Sequence, residues 1–257
     1  MPRGPLPPLS HRRQSFKLPD TQSLVVKWIA EGDGWVVISK PAQLLSVPGS
    51  DPHAQDSAET RVRARYPQVT GGIVVHRLDL PTSGLMVFAL RADVLSDLNR
   101  QFAKRTTSKR YTAVLCRSPQ DLRGEVKLPL RLDPFQRPLQ VVDPIHGRPS
   151  QTRWSVVGAH DLGTVVSLYP ITGRTHQLRI HAAHPLGLNA PIVGDPHYAR
   201  DATADGSPPH GQRLHLHADS LCFDDPITGE RICCEDPAPF INLNHRSSIT
   251  PLESKST

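Results

Sequence analysis

The chain has no apolar run approaching the ~20 residues that a membrane-spanning helix requires, and its N-terminus lacks the apolar core of a signal peptide. A soluble, cytoplasmic protein with no membrane partner is expected. Its four cysteines, Cys116, Cys222, Cys233 and Cys234, show no C-x-x-C spacing, which argues against a zinc ribbon and against a disulfide framework. Reduced, buried thiols are expected instead. Acidic side chains are missing from residues 1–19, so this end carries the charge of an organellar transit peptide, yet its five prolines prevent a continuous amphipathic helix. Neither G-x-x-x-x-G-K-[ST] nor G-x-G-x-x-G occurs, so no cradle for a nucleoside triphosphate or dinucleotide is visible.

What is present is a chain of 257 residues, long enough for one sizeable core, with 37% hydrophobic residues. That fraction is low for a globular protein and too high for disorder throughout, so an ordered body with polar ends is expected. Lysine and arginine outnumber aspartate and glutamate by 30 to 24, and 13 histidines add charge under mild acid. The resulting +6 favours a polyanionic partner, RNA or DNA first.

"SLVVKWIAEGDGWVVISKP" reads as two short strands around a Glu-Gly-Asp-Gly turn, and "DSAETRVRARYP" as a short capped helix ending before Pro67. Residues Gly84 to Leu90 form an apolar run of strand length. The period then changes: Val94, Leu95, Leu98 and Phe102 make one stripe of a helix. "KRYTAVLCR" alternates as a strand, with Tyr111, Ala113 and Leu115 on one face. A Pro-rich middle with short strands, a stronger strand at "TVVSLYP", a turn into a helix at "GRTHQLRIHAAH", a flexible loop at "RDATADGSPPHGQR" and closing strands complete one α+β domain. We expect a flexible tail over residues 1–22, a catalytic domain over 23–242 and a second tail over 243–257.

Several chemistries can be weighed from residue patterns. His181 and His184 can share a helix face, and His215 and His217 a strand face, but no H-E-x-x-H motif accompanies them, and no metal is expected. Ser83 stands in T-S-G-L rather than on a G-x-S-x-G elbow, so it reads as a turn or cap. In "VVHRLDLPTSGLMVFAL" two apolar runs, read as strands, flank Arg77, Asp79 and the turn-forming Pro-Thr-Ser-Gly. Taken alone, Asp79 has local hydrogen bonds to make as a turn residue, and Arg174 and Arg179 in "ITGRTHQLRIH" fit a solvated basic face.

Taken together, "HRLDLPTSGL", "KRYTAVL" and "GRTHQLRIHAAHPLGLNAPIVGD" resemble, in order and spacing, the signature segments of the RluA family of RNA pseudouridine synthases. "VVISKPAQLLSVPG" and "RLHLHADSLCFDDPITGE" match its flanks, so the resemblance runs from about Trp28 to Phe240. Within the family the likeness is greatest to the short, dual-specificity members acting on 23S ribosomal RNA and certain tRNAs, which lack an S4-like N-terminal domain. One departure is "LGLNAPIVGD", where the family more usually has a histidine before the proline.

The resemblance implies the pseudouridine synthase fold: α+β, with a mixed, largely antiparallel sheet, flanking helices and a central RNA-binding cleft. It implies isomerisation of specific uridines in a structured RNA, a ribosomal or tRNA stem-loop, by a monomer that uses no cofactor. Asp79 is then the essential carboxylate, Arg179 its partnering cation and Tyr111 the residue that stacks on uracil. Arg77 fills the space that the flipped nucleotide leaves. His76, Arg174, His176, Lys104, Lys109 and Arg110, with Arg105, hold RNA around the cleft. A non-catalytic RNA-binding or RNA-folding protein with the same cleft is the alternative.

Overall fold

The computed structural model describes residues 20–199 and 213–241. Both expected tails and the expected loop at "RDATADGSPPHGQR" fall wholly or largely outside these residues. Eleven strands and three helices follow in the order β1 (Lys27–Gly32), β2 (Trp35–Lys40), α1 (Ala58–Arg65), β3 (Ser83–Ala89), α2 (Ala92–Lys104), β4 (Ser108–Leu115), β5 (Arg123–Lys127), β6 (Leu130–Leu132), β7 (Gln140–Val142), β8 (Gln151–His160), β9 (Gly163–Pro170), α3 (Gln177–Ala183), β10 (Leu216–Asp224) and β11 (Arg231–Glu235). Nine of the strands form one sheet with the path β1-β2-β3-β10-β4-β9-β8-β5, and β11 adds to β10; β6 and β7 make a separate pair. All pairings are antiparallel except β3 with β10. This is the mixed, largely antiparallel α+β architecture that the sequence leads one to expect.

Continuous apolar runs produce strands covered on both faces, and β2 and β3 are buried at every residue. Alternation sorts their side chains. Val36, Ile38, Met86 and Phe88 pack against α1 through Ala58 and Val62. Trp35, Val37, Leu85 and Val87 pack on the other face against Val94 and Leu98 of α2. A third core lies in the other half of the sheet, where Ala113, Leu115, Val166 and Leu168 meet Leu178, Ile180 and Ala182 of α3. Each fully buried Leu, Ile or Phe contributes about 1.5–3 kcal/mol. Helix α1 starts at a capping box in which Ser57 and Thr60 satisfy each other's backbone N–H.

The two halves meet along β10. Its only parallel contacts with β3 are His217 opposite Ser83 and Ala218 opposite Gly84. Beyond a bulge between Ala218 and Ser220 on the β4 side, β11 takes over as the neighbour of β10. Ser83 is the first residue of β3 rather than a turn residue. Its hydroxyl accepts from Arg213 Nη2 at 2.9 Å and pairs with His217 Nδ1 at 2.8 Å, while His217 Nε2 lies 3.1 Å from Asp236 Oδ2. Ser83, His217 and Asp236 are all buried, and with Ser39, which donates to Asp236 Oδ2 at 2.5 Å, they tie β2, β3 and β10 to the end of β11.

Three readings of the sequence are corrected. Of the two apolar runs around Arg77 and Asp79, only the second is a strand; Val74 makes a single bridge to Phe88. Cys222 and Cys233 are joined by a disulfide, with Cα atoms 4.2 Å apart, instead of being free thiols. The hairpin register sets them directly opposite each other, a relation that C-x-x-C arithmetic does not detect. And Gly84, read both within the turn-forming Pro-Thr-Ser-Gly and at the start of the apolar run, belongs to the strand alone. Gly84 sits within β3 at φ +116°, and a Cβ there would lie 2.3 Å from the Ala218 carbonyl oxygen.

Gly84→Ala is therefore expected to separate β3 from β10 and destabilise the protein by about 3 kcal/mol or more. Gly158→Ala, where an added Cβ meets nothing within 4 Å, is expected to stay within about 0.5 kcal/mol of the parent. Urea unfolding of the two variants checks both.

Candidate active site

A cleft of about 1070 Å³ opens along the junction of the two half-sheets. One wall is the loop carrying His76, Arg77 and Asp79, together with α2 and β4; the other runs from Tyr169 to Arg179.

The Asp79 loop is held by the segment that follows β2. Ser46 Oγ accepts the Leu78 N–H at 3.0 Å and donates to the Leu78 carbonyl at 2.6 Å. The Gln43 N–H donates to Leu80 O at 2.8 Å. Lys40, wholly buried, donates from Nζ to Leu44 O at 2.8 Å, to Pro41 O at 3.0 Å and to Leu80 O at 3.3 Å. Burial draws the Lys40 pKa down to about 7, with Asp79 pulling the other way. A β-turn closed by the Thr82 N–H on Asp79 O, 3.0 Å, then presents the carboxylate at the cleft, one quarter exposed. The buried Thr82 hydroxyl on the cleft lining has no hydrogen-bond partner among the described residues.

The far wall is built around Gln177. Its side-chain oxygen accepts from Thr172 Oγ1 at 2.7 Å and from the Arg174 N–H at 3.0 Å, and its amide nitrogen reaches Gln151 O and Thr152 Oγ1. This fixes the turn into α3, whose first turn delivers Arg179. The guanidinium is sealed from solvent and grips Asp195 through two 2.7 Å bonds, Nε to Oδ2 and Nη2 to Oδ1. Its remaining nitrogen, Nη1, stands 3.5 Å from Asp79 Oδ2. Sequence reading joins Arg179 to Asp79 directly; the structure gives the tight partnership to Asp195 and leaves Asp79 the outer, longer contact. Burial pushes the Asp195 carboxyl upward, but the bonds and charge of Arg179, with the N–H groups of His197 and Tyr198, outweigh it and hold the carboxyl below its ordinary value.

Tyr111 stands on β4 between the two cores, packing against both. Burial raises its hydroxyl pKa, and the charges of Asp79 and Asp219 raise it further, so it remains a neutral phenol. His176, in the left-handed region at φ 53°, places Nε2 3.9 Å from Asp79 Oδ2. Its Nδ1 lies 2.7 Å from Tyr198 Oη. Arg77 is exposed at the mouth of the cleft. Arg174, Lys109 and Arg105 also line it, with Lys109 Nζ 5.3 Å above the Phe102 ring. His76 lines it too, but its Nε2 accepts the Val87 N–H at 3.2 Å and its ring stacks on Phe102, so burial holds it neutral, with a pKa near 3.

Two residues expected at the cleft do not line it. Arg110 faces away from Lys109 and Tyr111 by strand alternation and pairs with Asp219 at 2.8 Å. Lys104 lies two residues past Phe102, on the side of α2 turned from the cleft, and is exposed. Ala190, where the sequence departs from the family pattern, is buried in the third core with its N–H on Ala182 O; it does not touch the cleft. His181 bonds Ser150 and Thr152 inside the protein. Among the described residues no group of three or more His, Cys, Asp or Glu gathers as a metal site, and no helix is long and apolar enough to cross a membrane.

Asp195, Tyr198, Lys40 and Gln177 were not singled out by sequence reading. Asp195 and Tyr198 had a signal in "VGDPHY", an aspartate opening a turn. What makes it a site residue, the partner 16 positions earlier, appears only in three dimensions.

A mixed sheet carrying this cleft is the pseudouridine synthase fold. Two solved human structures share it: RNA Pseudouridylate Synthase Domain Containing 1, at 27% identity and TM-score 0.66 over 84% of this chain and 85% of that one, and Domain Containing 4, at 25% identity and TM-score 0.62 over 83% and 88%. Residues 34–184 match the family model described as RNA pseudouridylate synthase. The "Dual-specificity RNA pseudouridine synthase RluA" of Pasteurella multocida is 42% identical over 81% of this chain and 91% of its own length; that of Escherichia coli K12 is 40% identical over 88% and 99%. The chain belongs to the RNA pseudouridylate synthase family, whose members isomerise uridine in RNA.

Replacing Asp195 by Asn strips the buried Arg179 of its counter-charge and is expected to cost about 3–5 kcal/mol at pH 7. Because the carboxyl is depressed in the folded state, its contribution is complete above the unfolded value of 3.8 and disappears as the pH falls through the folded one. The stability gap between wild type and variant, followed by urea titration from pH 7 to pH 3, should therefore narrow only below about pH 4.

Proposed function

We propose that the protein converts specific uridines in ribosomal RNA and tRNA stem-loops to pseudouridine, with Asp79 as the essential carboxylate. The observation that carries this reading is the carboxylate of Asp79, the one carboxylate among the described residues that line the cleft, between Arg179 and the His176 ring, in a pocket that Tyr111 also lines. The dual-specificity names of the Pasteurella and Escherichia relatives support the two RNA classes. In this reading residues 23–242 form the catalytic domain and the enzyme works as a cytoplasmic monomer on a large asymmetric RNA.

The reaction breaks the N1–C1′ bond of uridine, turns the uracil in place and joins C5 to C1′, releasing the C5 proton. It is an isomerisation, and the groups it asks for are a carboxylate against the nucleoside, donors for the charge that develops on the base, and a flat surface to hold the ring. Asp79 supplies the first. Tyr111, a neutral phenol, supplies an aromatic face. Reaching a paired uridine requires flipping it out, at a cost of a few kcal/mol, and the exposed planar guanidinium of Arg77 at the mouth offsets this by stacking in the vacated space. Arg174, Lys109 and Arg105 bind phosphate, and His76 and His176 shape the walls.

Tritium release from [5-³H]uridine-labelled ribosomal RNA and tRNA transcripts is the direct assay. Wild type is expected to release label from both pools, and Asp79→Ala to be slower by at least about 10³-fold while binding RNA within a few fold. No release from either pool by folded, RNA-bound wild type would leave an RNA-binding or RNA-folding protein as the better reading. Affinity for either RNA should also fall at least tenfold between about 50 and 200 mM salt, and Arg174→Ala should lower the slope of log K against log salt by nearly one, as filter binding would measure.

A further inference from the structure

His176 touches the cleft with one ring nitrogen and the protein interior with the other, and the interior side is occupied by a residue that no sequence motif above singles out. Tyr198 lies beyond α3, three residues after Asp195. Its hydroxyl oxygen accepts the backbone N–H of Gln140, the first residue of β7, at 3.0 Å and lies 2.7 Å from His176 Nδ1. With that N–H already on the oxygen, the phenolic proton is free to be donated to Nδ1. The opposite assignment would put an imidazole lone pair, rather than an N–H, toward the Asp79 carboxylate. Both considerations place the ring proton on Nε2.

The surroundings prepare this arrangement. His176 holds a left-handed backbone that a non-glycine residue adopts only where its neighbours impose it. The ring of His197 runs nearly parallel, 18° between planes with centroids 6.0 Å apart, and the Tyr198 ring stands edge-on at 5.6 Å. The Arg179 guanidinium lies over the Tyr198 ring at 5.2 Å. Burial, aided by the charge of Arg179 and only partly opposed by Asp79, brings the His176 pKa to about 4, so at neutral pH the ring is uncharged and has a tautomer to be fixed.

We propose that Tyr198 is a positioning residue that locks His176 as its Nε2–H tautomer, so that a neutral N–H donor faces Asp79 and the uracil held against it. The proposal rests on the functional reading given above. When the N1–C1′ bond breaks, its electron pair leaves with the base, and negative charge spreads onto the uracil. A neutral donor already oriented in the cleft stabilises that charge without the ring having to reorganise. The 3.9 Å separation of Nε2 from Asp79 Oδ2 is beyond hydrogen-bond reach, so this donor is not consumed by the carboxylate. The bond from Gln140 further ties the chain at β7 to the orientation of His176.

The test joins a spectroscopic and a kinetic readout on the full-length chain. Two-dimensional ¹⁵N–¹H correlation of histidine-labelled protein at pH 7.5, with the His176 signals assigned by their loss in His176→Gln, is expected to show the Nε2–H tautomer in wild type and a mixture of tautomers in Tyr198→Phe. Single-turnover tritium release should fall about tenfold in Tyr198→Phe, the rate equivalent of one neutral hydrogen bond, with KM for RNA unchanged within threefold. His176→Gln removes the imidazole donor and should itself slow single-turnover release about tenfold, and adding Tyr198→Phe to it should cost nothing more. An Nδ1–H tautomer or an imidazolium in wild type overturns the proposal, as does an equal loss from Tyr198→Phe in both backgrounds, which would assign Tyr198 to supporting Arg179 instead. The tautomer is read without turnover: Nε2–H locked in wild type and released in Tyr198→Phe, in a protein that acts on neither RNA, would support the assignment and overturn the functional reading.

Discussion

The paired charges of Arg179 and Asp195, both closed off from water, are the constraint around which the cleft is arranged. Burying two charges is costly, and two parallel 2.7 Å hydrogen bonds with two backbone N–H groups on the carboxylate are what make it tolerable. That geometry admits little freedom. It draws the turn holding Asp195 and Tyr198 onto α3, orients the guanidinium so that Nη1 alone is left over, and points Nη1 at Asp79. The guanidinium thus stands between two carboxyl groups, with Asp195 the sealed one and Asp79 the outer, partly exposed one.

The opposite wall is built by different means. No ion pair shorter than 3.5 Å involving a described residue holds Asp79 in place; its loop is secured by Ser46, Gln43 and Lys40 bonding to backbone. Lys40 is the costly member, an amine buried without an immediate carboxylate. Three carbonyls satisfy its protons, and its lowered pKa records what burial costs. One side of the cleft is thus positioned by charge and the other by a mesh of hydrogen bonds to the main chain. Asp79 lies where they meet.

Much of this was legible in the sequence because local rules and tertiary packing agree there. The stripe of Val94 and Leu98, the alternation of β4 and the buried runs of β2 and β3 are periodic signals, and periodicity survives folding. The first of the two strands expected around Asp79 does not form because the run meets β3 at one bridge only, Val74 to Phe88, and the next β3 N–H, that of Val87, is taken by the His76 ring. Gly84 reads both as the end of a turn-like Pro-Thr-Ser-Gly and as the start of an apolar run, and neither local pattern reveals that glycine is required there by the Ala218 backbone 134 positions later. The same holds for Asp195, Tyr198 and the Cys222–Cys233 pair: each is defined by a partner distant in sequence or by strand register. Arg110 and Lys104 were grouped with the cleft by charge, but facing is set by strand and helix geometry, which turns both away.

Tyr111 belongs to no single core. It packs against the cluster beneath α3 and against the one beneath α1, while the half-sheets that carry these clusters share only two parallel residue pairs through β10. A ring shared in this way works as a gauge block between two jaws: the spacing of the walls and the seating of the phenol are one quantity. Any displacement that widened the cleft would also unseat the ring that lines it, so the width of the cleft and the placement of its aromatic face change together.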